Sequence, residues 1–92
     1  MKRTCVRMPE QFAEIGRLLT SALAQKGVPI VQDVRDAEVV VTYGTDNVLS
    51  ALEECRGQVI QMFFDRRDRV ENSRVTQHDF IQPTDNLVAR LE

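Results

Sequence analysis

Tryptophan is absent from this 92-residue chain, tyrosine occurs once, histidine once and cysteine twice. Each scarcity closes off some chemistry. The single histidine, His78, is followed by Asp79 in a segment that reads as a strand, so the two side chains point to opposite faces and no Ser-His-Asp set can be assembled. Cys5 and Cys55 lie far apart with no C-x-x-C between them, and together with His78 they show no metal-ligand spacing. They read as free thiols in a reducing compartment. No apolar run approaches the roughly 20 residues that cross a bilayer, and the first residues lack an apolar core of signal-peptide length, so the expectation is a cytoplasmic protein without a membrane partner.

What is present is an ordinary globular composition, 42% apolar and 28% charged. Ninety-two residues make one domain, 1–92, which buries about 60–65% of the surface its unfolded chain would expose. The net charge of −2 argues against a surface given over to nucleic acid. Lys2 and Lys26 are the only lysines among twelve basic residues; the rest are arginine, whose planar fork suits carboxylates, phosphates and aromatic rings.

Residues 2–8 alternate, with Thr4, Val6 and Met8 on one side of a strand and Arg3, Cys5 and Arg7 on the other. Pro9 suits a helix start. Phe12, Ile15, Leu18, Leu19, Ala22 and Leu23 recur at helical spacing, and Gly27 can end that helix in a left-handed conformation. Residues 28–31 read as a short edge strand because Pro29 lacks a donor. Glu38 to Tyr43 contains three consecutive valines and reads as a strand covered on both faces. A helix follows from about Asp46, carrying Val48, Leu49, Leu52 and Cys55 inward with Gly57 as its stop. Residues 58–64 form another apolar strand, 65–74 a charged segment and 75–81 a fifth, weaker strand. Pro83, Thr84 and Asp85 turn and cap a last helix with Leu87, Val88 and Leu91 inward.

Two architectures accommodate this order. One is a small flavodoxin-like or Rossmann-like three-layer α/β fold with four or five mostly parallel strands. The other is a ferredoxin-like α+β split βαβ fold with an added strand and helix, which reads the short 32–37 connection as a hairpin, whereas a parallel crossover normally takes a dozen residues or more. The parallel sheet accounts better for the strands that are apolar on both faces and is the expectation here.

In a parallel sheet, Gly44, Thr45, Asp46 and Asn47 fall at the carboxyl end of a central strand, where open α/β sheets place ligands. Backbone donors of the helix start and the Thr45 hydroxyl suit a phosphate or carboxylate, although Asp46 competes for the same donors. Without a ligand, the same residues make a glycine turn followed by a helix cap from Thr45 or Asp46. A second candidate is a partner-binding surface of Phe63 and Phe64 beside Arg66, Arg67 and Arg69, since aromatic and arginine anchors dominate protein interfaces. If helices cover both faces of the sheet, both rings are core instead. Nucleic-acid binding through Arg66, Arg67, Arg69 and Arg74 is disfavoured, because Asp65, Asp68 and Glu71 interleave with them and no ring lies inside the segment to stack a base. His78 reads as a surface residue of a strand. Cys5, flanked by Arg3 and Arg7, reads as a half-buried inert thiol, with an activated thiolate as the sharper alternative.

Segment 36–63, strand, turn, helix and strand, resembles the substrate-binding half of D-2-hydroxyacid dehydrogenases. The likeness stops at Phe63: the glycines that precede the substrate loop in that family are missing, nothing in the chain resembles its dinucleotide-binding half, and no function is carried across. The position of Cys5 before a helix is similar to that in cysteine-dependent phosphatases, but their C-x5-R loop requires arginine where this chain has Gln11. With no acid-base or nucleophilic set and no cofactor or metal site legible, the expectation is a non-catalytic binding or regulatory module acting through protein contact, including contact with a second copy. The alternatives are a small-ligand-binding domain or enzyme subunit using residues 44–47, and a nucleic-acid-associated accessory protein.

Overall fold

The computed structural model describes residues 1–63 and 69–92. Among these, β1 (Thr4–Arg7), β2 (Val39–Tyr43), β3 (Gln58–Phe63) and β4 (Val75–Asp79) lie side by side in chain order, every pair parallel. Helices α1 (Ala13–Gln25), α2 (Thr45–Glu54) and α3 (Thr84–Leu91) complete the framework. Alternation along the strands sends Val39, Val41, Ile60 and Met62 to one face, where they pack with Leu23 of α1 and with Leu87 and Leu91 of α3. Cys5, Val40 and Val59 go to the other face, against Val48 and Ala51 of α2 and Val34. The result is the expected three-layer α/β fold.

One isolated parallel bridge, Thr4 to Ile30, adds to the sheet. Thr4 N–H donates to Pro29 O (2.9 Å) and Val31 N–H to Thr4 O (3.0 Å), whereas Glu38 and Val39 donate to Arg3 O on the opposite edge of β1. Ile30 therefore flanks β1 on the side away from β2. Counted as a chain segment, it makes the spatial order second, first, third, fourth, fifth, the flavodoxin-like order. The short 32–37 link is reconciled by register: Thr4 pairs with both Ile30 and Val39. The chain need not run back along the sheet; it only crosses two strand spacings, roughly 10 Å. A 3-10 turn at Val34–Asp36 makes that crossing, with Asp33 Oδ1 accepting from Arg35 N–H at 2.9 Å. No hairpin is needed, and the ferredoxin-like alternative does not hold. The anticipated 28–31 strand shrinks to one bridging residue.

Helix α1 ends as its sequence implies. Gly27 adopts φ 89°, its N–H donates to Ala24 O (3.0 Å), and Val28 N–H donates to Leu23 O (3.0 Å). This is a Schellman closure, with Val28 and Leu23 both in the core. Among the described residues, no helix is long and apolar enough to cross a membrane.

Candidate functional site

From β1 the chain turns toward the α1 face, and from β2 it turns toward the α2 face. The two connections diverge, so a crevice opens between the carboxyl ends of β1 and β2, the topological switch point of the sheet. Pro9 and Gln11 line it on one side; Tyr43, Gly44, Thr45, Asp46 and Asn47 line it on the other, around a volume of about 230 Å³. All four candidate ligand-binding residues at 44–47 are therefore brought together at one opening. Gly44 sits at φ 95°, ψ 141°, a conformation that side chains disfavour. It is itself the residue before the helix: Val48 N–H donates to Gly44 O (3.0 Å), and no side chain caps α2. The expected cap from Thr45 or Asp46 is absent because the helix starts one residue earlier and places both inside its first turn. The exposed Asp46 carboxylate occupies the positive end of the helix dipole. Asn47 Nδ2 donates to Tyr43 O at 2.9 Å and braces the turn. The Tyr43 ring meets Phe12 edge-on with centroids 4.8 Å apart and lies 5.8 Å from Phe80, so three half-buried rings floor this end of the sheet.

The second predicted surface fares differently. Phe63 is buried at 6% exposure. Phe64, Arg66 and Arg67 lie outside the described residues. Arg69 is exposed and paired with Glu71 at 2.9 Å. Arg74 serves the fold instead of a partner. Its Nε donates to Gly57 O (3.0 Å), its Nη1 to Leu52 O (3.2 Å) and its Nη2 to Cys55 O. The guanidinium thus closes the carbonyl end of α2.

On the α2 face, Thr42, Gln61 and Gln77 stand in one register row across β2, β3 and β4. Gln61 Oε1 accepts from Val70 N–H (2.9 Å) and Gln77 Nε2 donates to Val70 O (3.4 Å), so two side chains hold the 69–71 backbone against the sheet. Sequence patterning treats Gln61 as one residue of an apolar strand; its amide at a buried position is the signal that backbone packs over it.

Cys5 is buried, with its Sγ 3.7 Å from Gln32 O. Burial pushes its thiol above the ordinary range; the Arg7 charge opposes this, while Asp33 and Cys55 reinforce it. Arg7 also spends its charge on Glu54 at 3.1 Å. The geometry is that of an inert thiol.

His78 overturns its surface assignment. It is 2% exposed, facing α1 and α3 in register with Met62, because α3 covers the end of the sheet where a lone edge strand would have been wet. Burial, then the charge of Arg90, holds its imidazole below the ordinary range, against the pull of Asp79. Its Nδ1 makes no hydrogen bond. Beside it runs a groove of about 300 Å³ between the two helices, lined by Leu18, Leu19 and Ala22 of α1, Met62, His78 and Leu87. Leu18 is 62% exposed, and Ile81, between the lining residues Phe80 and Gln82, is 84% exposed. Sequence periodicity places Leu18 in the core, but α3 has only eight residues and leaves it uncovered.

The outer edge of β4 is partly taken up by the chain itself. Val75 N–H donates to Asn72 O (3.0 Å), Arg90 Nη1 to Gln77 O (2.6 Å) and Gln82 N–H to Asp79 O (3.1 Å). Among the described residues, no three of His, Cys, Asp or Glu come together as a metal would require. No protein-family model, no curated protein and no solved structure matches this chain.

Proposed function

We propose that the chain is a non-catalytic binding module that acts by protein contact through the face formed by α1 and α3. The observation carrying this reading is the apolar groove between those helices, with Leu18 and Ile81 standing exposed at it. Isolated exposed apolar side chains are ordinary, but an apolar groove with two large ones beside it suits an interface. A strand-to-strand contact at β4 is disfavoured, since three backbone groups of that edge already have partners within the chain. Self-association is the version open to direct test, by light scattering behind size exclusion over a wide concentration range. The expected result is a dimer for the wild type and a monomer for Leu18→Glu with unchanged circular dichroism. A wild type that stays monomeric at every concentration removes the self-association form of the proposal.

A second reading, small-ligand binding at 44–47, is favoured by one specific observation: these residues line the switch-point crevice. Phosphate and acetate at millimolar levels would raise the melting temperature of the wild type and not that of Gly44→Ala. No shift with either anion counts against this reading, and the Asp46 carboxylate at the crevice is what such an anion must overcome.

A further inference from the structure

The outer edge of β4 keeps one backbone donor that the fold does not use. Val59 N–H donates to Arg74 O (2.8 Å) and Phe80 N–H to Phe63 O (3.1 Å), so residues 74 to 80 turn alternate peptide groups to β3, and Val75, Gln77 and Asp79 present theirs outward. Val75 N–H is held by Asn72 O and Gln77 O by Arg90, whereas Gln77 N–H has no partner among the described residues. Gln77 lines a cleft of about 800 Å³, and two exposed arginines line it from opposite sides of the sheet. Arg90 reaches the edge from α3, with Nη1 2.6 Å from Gln77 O; Arg69 adjoins Val70, whose carbonyl accepts from Gln77 Nε2 (3.4 Å). We infer that this cleft binds a small organic carboxylic acid, its carboxylate held at Gln77 N–H between Arg69 and Arg90 and its apolar body lying along the cleft.

The charge follows from the lining. In a chain of net charge −2, the described residues of this cleft carry three cations, Lys2, Arg69 and Arg90, against one carboxylate, Glu71. Lys2 sits at the α3 end, where its backbone N–H donates to Leu91 O (2.9 Å). Guanidinium forks and an outward peptide N–H are the donors that a carboxylate accepts from most strongly. A phosphate dianion fits less well, because Glu71 is paired with Arg69 at 2.9 Å and repels a second negative charge there. The half-buried Val70 and Val75 give the body of the acid an apolar surface, while Gln58, Asn72 and Thr76 tolerate a neutral polar substituent on it. The volume is that of a small-molecule site. Neither the α1–α3 face nor the crevice at 44–47 is involved.

The test is an NMR titration of the isotope-labelled full-length chain with 3-phenylpropionate and with its neutral isostere 3-phenylpropionamide. The expected result is saturable binding of the acid, about tenfold tighter than the amide, the margin of one hydrogen bond to a charged group. The Gln77 amide should move most, and affinity should fall as salt is added. Arg90→Gln should weaken the acid about tenfold and leave the amide unchanged. Because Arg90 also holds Gln77 O, the exposed Arg69→Gln is the second variant, with the same expectation. Equal affinity for acid and amide, or no saturation by the acid below roughly 10 mM, overturns the inference. So do shifts confined to residues 44–47, which would assign the acid to the switch-point crevice, and tighter binding of phenyl phosphate than of the carboxylate.

Discussion

Gly57 has no positive φ, yet a Cβ built on it would lie 1.9 Å from the carbonyl oxygen of Glu38. The neighbour is backbone, fixed by the hydrogen bond from Gln58 N–H to Glu38 O (3.0 Å), and cannot yield as a flexible side chain would. Gly57→Ala should therefore cost about 3 kcal/mol, the upper part of the usual overpacking range, read as a lowered urea midpoint. Gly27→Ala is the comparison: it has φ 89° but open space around it, so it carries only the left-handed penalty of about 1–2 kcal/mol. If Gly57→Ala costs no more than Gly27→Ala, the close approach is not a constraint. The two glycines look alike in sequence, each following a helical pattern, and both read as helix stops. That reading holds for Gly27, whose role is local. It fails for Gly57, where α2 has already ended at Glu54 and the demand comes from Glu38, just before β2 and 19 residues upstream. His78 teaches the same lesson: its neighbours in sequence are polar, and only the docking of α3 buries it.

At the scale of elements, α2 ends at Glu54 and gives way after one residue to the turn into β3. Arg74 bridges it with three donors from one rigid fork. Arg74→Ala should lower stability by about 2 kcal/mol, in the range for hydrogen bonds involving a charged group, and should speed amide exchange in the last turn of α2. Arg74→Lys should recover only part of this, because a point ammonium cannot reproduce the planar fork. Uniform exchange across α2 in Arg74→Ala would show that the clamp does not hold that end. Sequence patterning places the elements themselves well: α1, the valine strand, the apolar 58–64 strand over its described residues and the last helix lie where periodicity sets them. It errs at 28–31, where Val28, Ile30 and Val31 favour an extended chain but only Ile30 meets a strand. Strand length is a property of the pair, since each bridge needs two segments, and composition describes only one of them.

For the whole molecule, two buried groups bracket the pH range of greatest stability. His78 has its proton affinity lowered by burial and by Arg90, with Asp79 opposing. Below the ordinary histidine pKa of about 6.5, the unfolded chain takes up a proton that the folded chain refuses, so stability falls as pH drops. Cys5 has its pKa raised by burial, with Arg7 opposing and Asp33 and Cys55 reinforcing. Above the ordinary thiol pKa of about 8.5, the unfolded chain releases a proton that the folded chain keeps, so stability falls as pH rises. Urea midpoints should stay level between these limits and decline on both sides. His78→Phe should flatten the decline between pH 6.5 and about 5, before the carboxylates titrate. A wild-type midpoint that stays level through that interval would contradict a neutral buried imidazole.

By itself the sequence determined what depends on neighbours within about a turn of helix or one strand: the amphipathic α1 with its glycine closure, the all-apolar valine strand and the α/β class. It also marked Gly44 to Asn47 as a strand-to-helix turn. Tertiary structure alone decided which segments lie side by side, and with them the reduced Ile30 bridge, the crevice at the switch point, the burial of Phe63 and His78, and the arginine clamp on α2. These rest on contacts between residues distant in the chain. One residue's shift in register reverses the face to which every side chain of a strand points, and in strands apolar on both faces no local pattern carries that information.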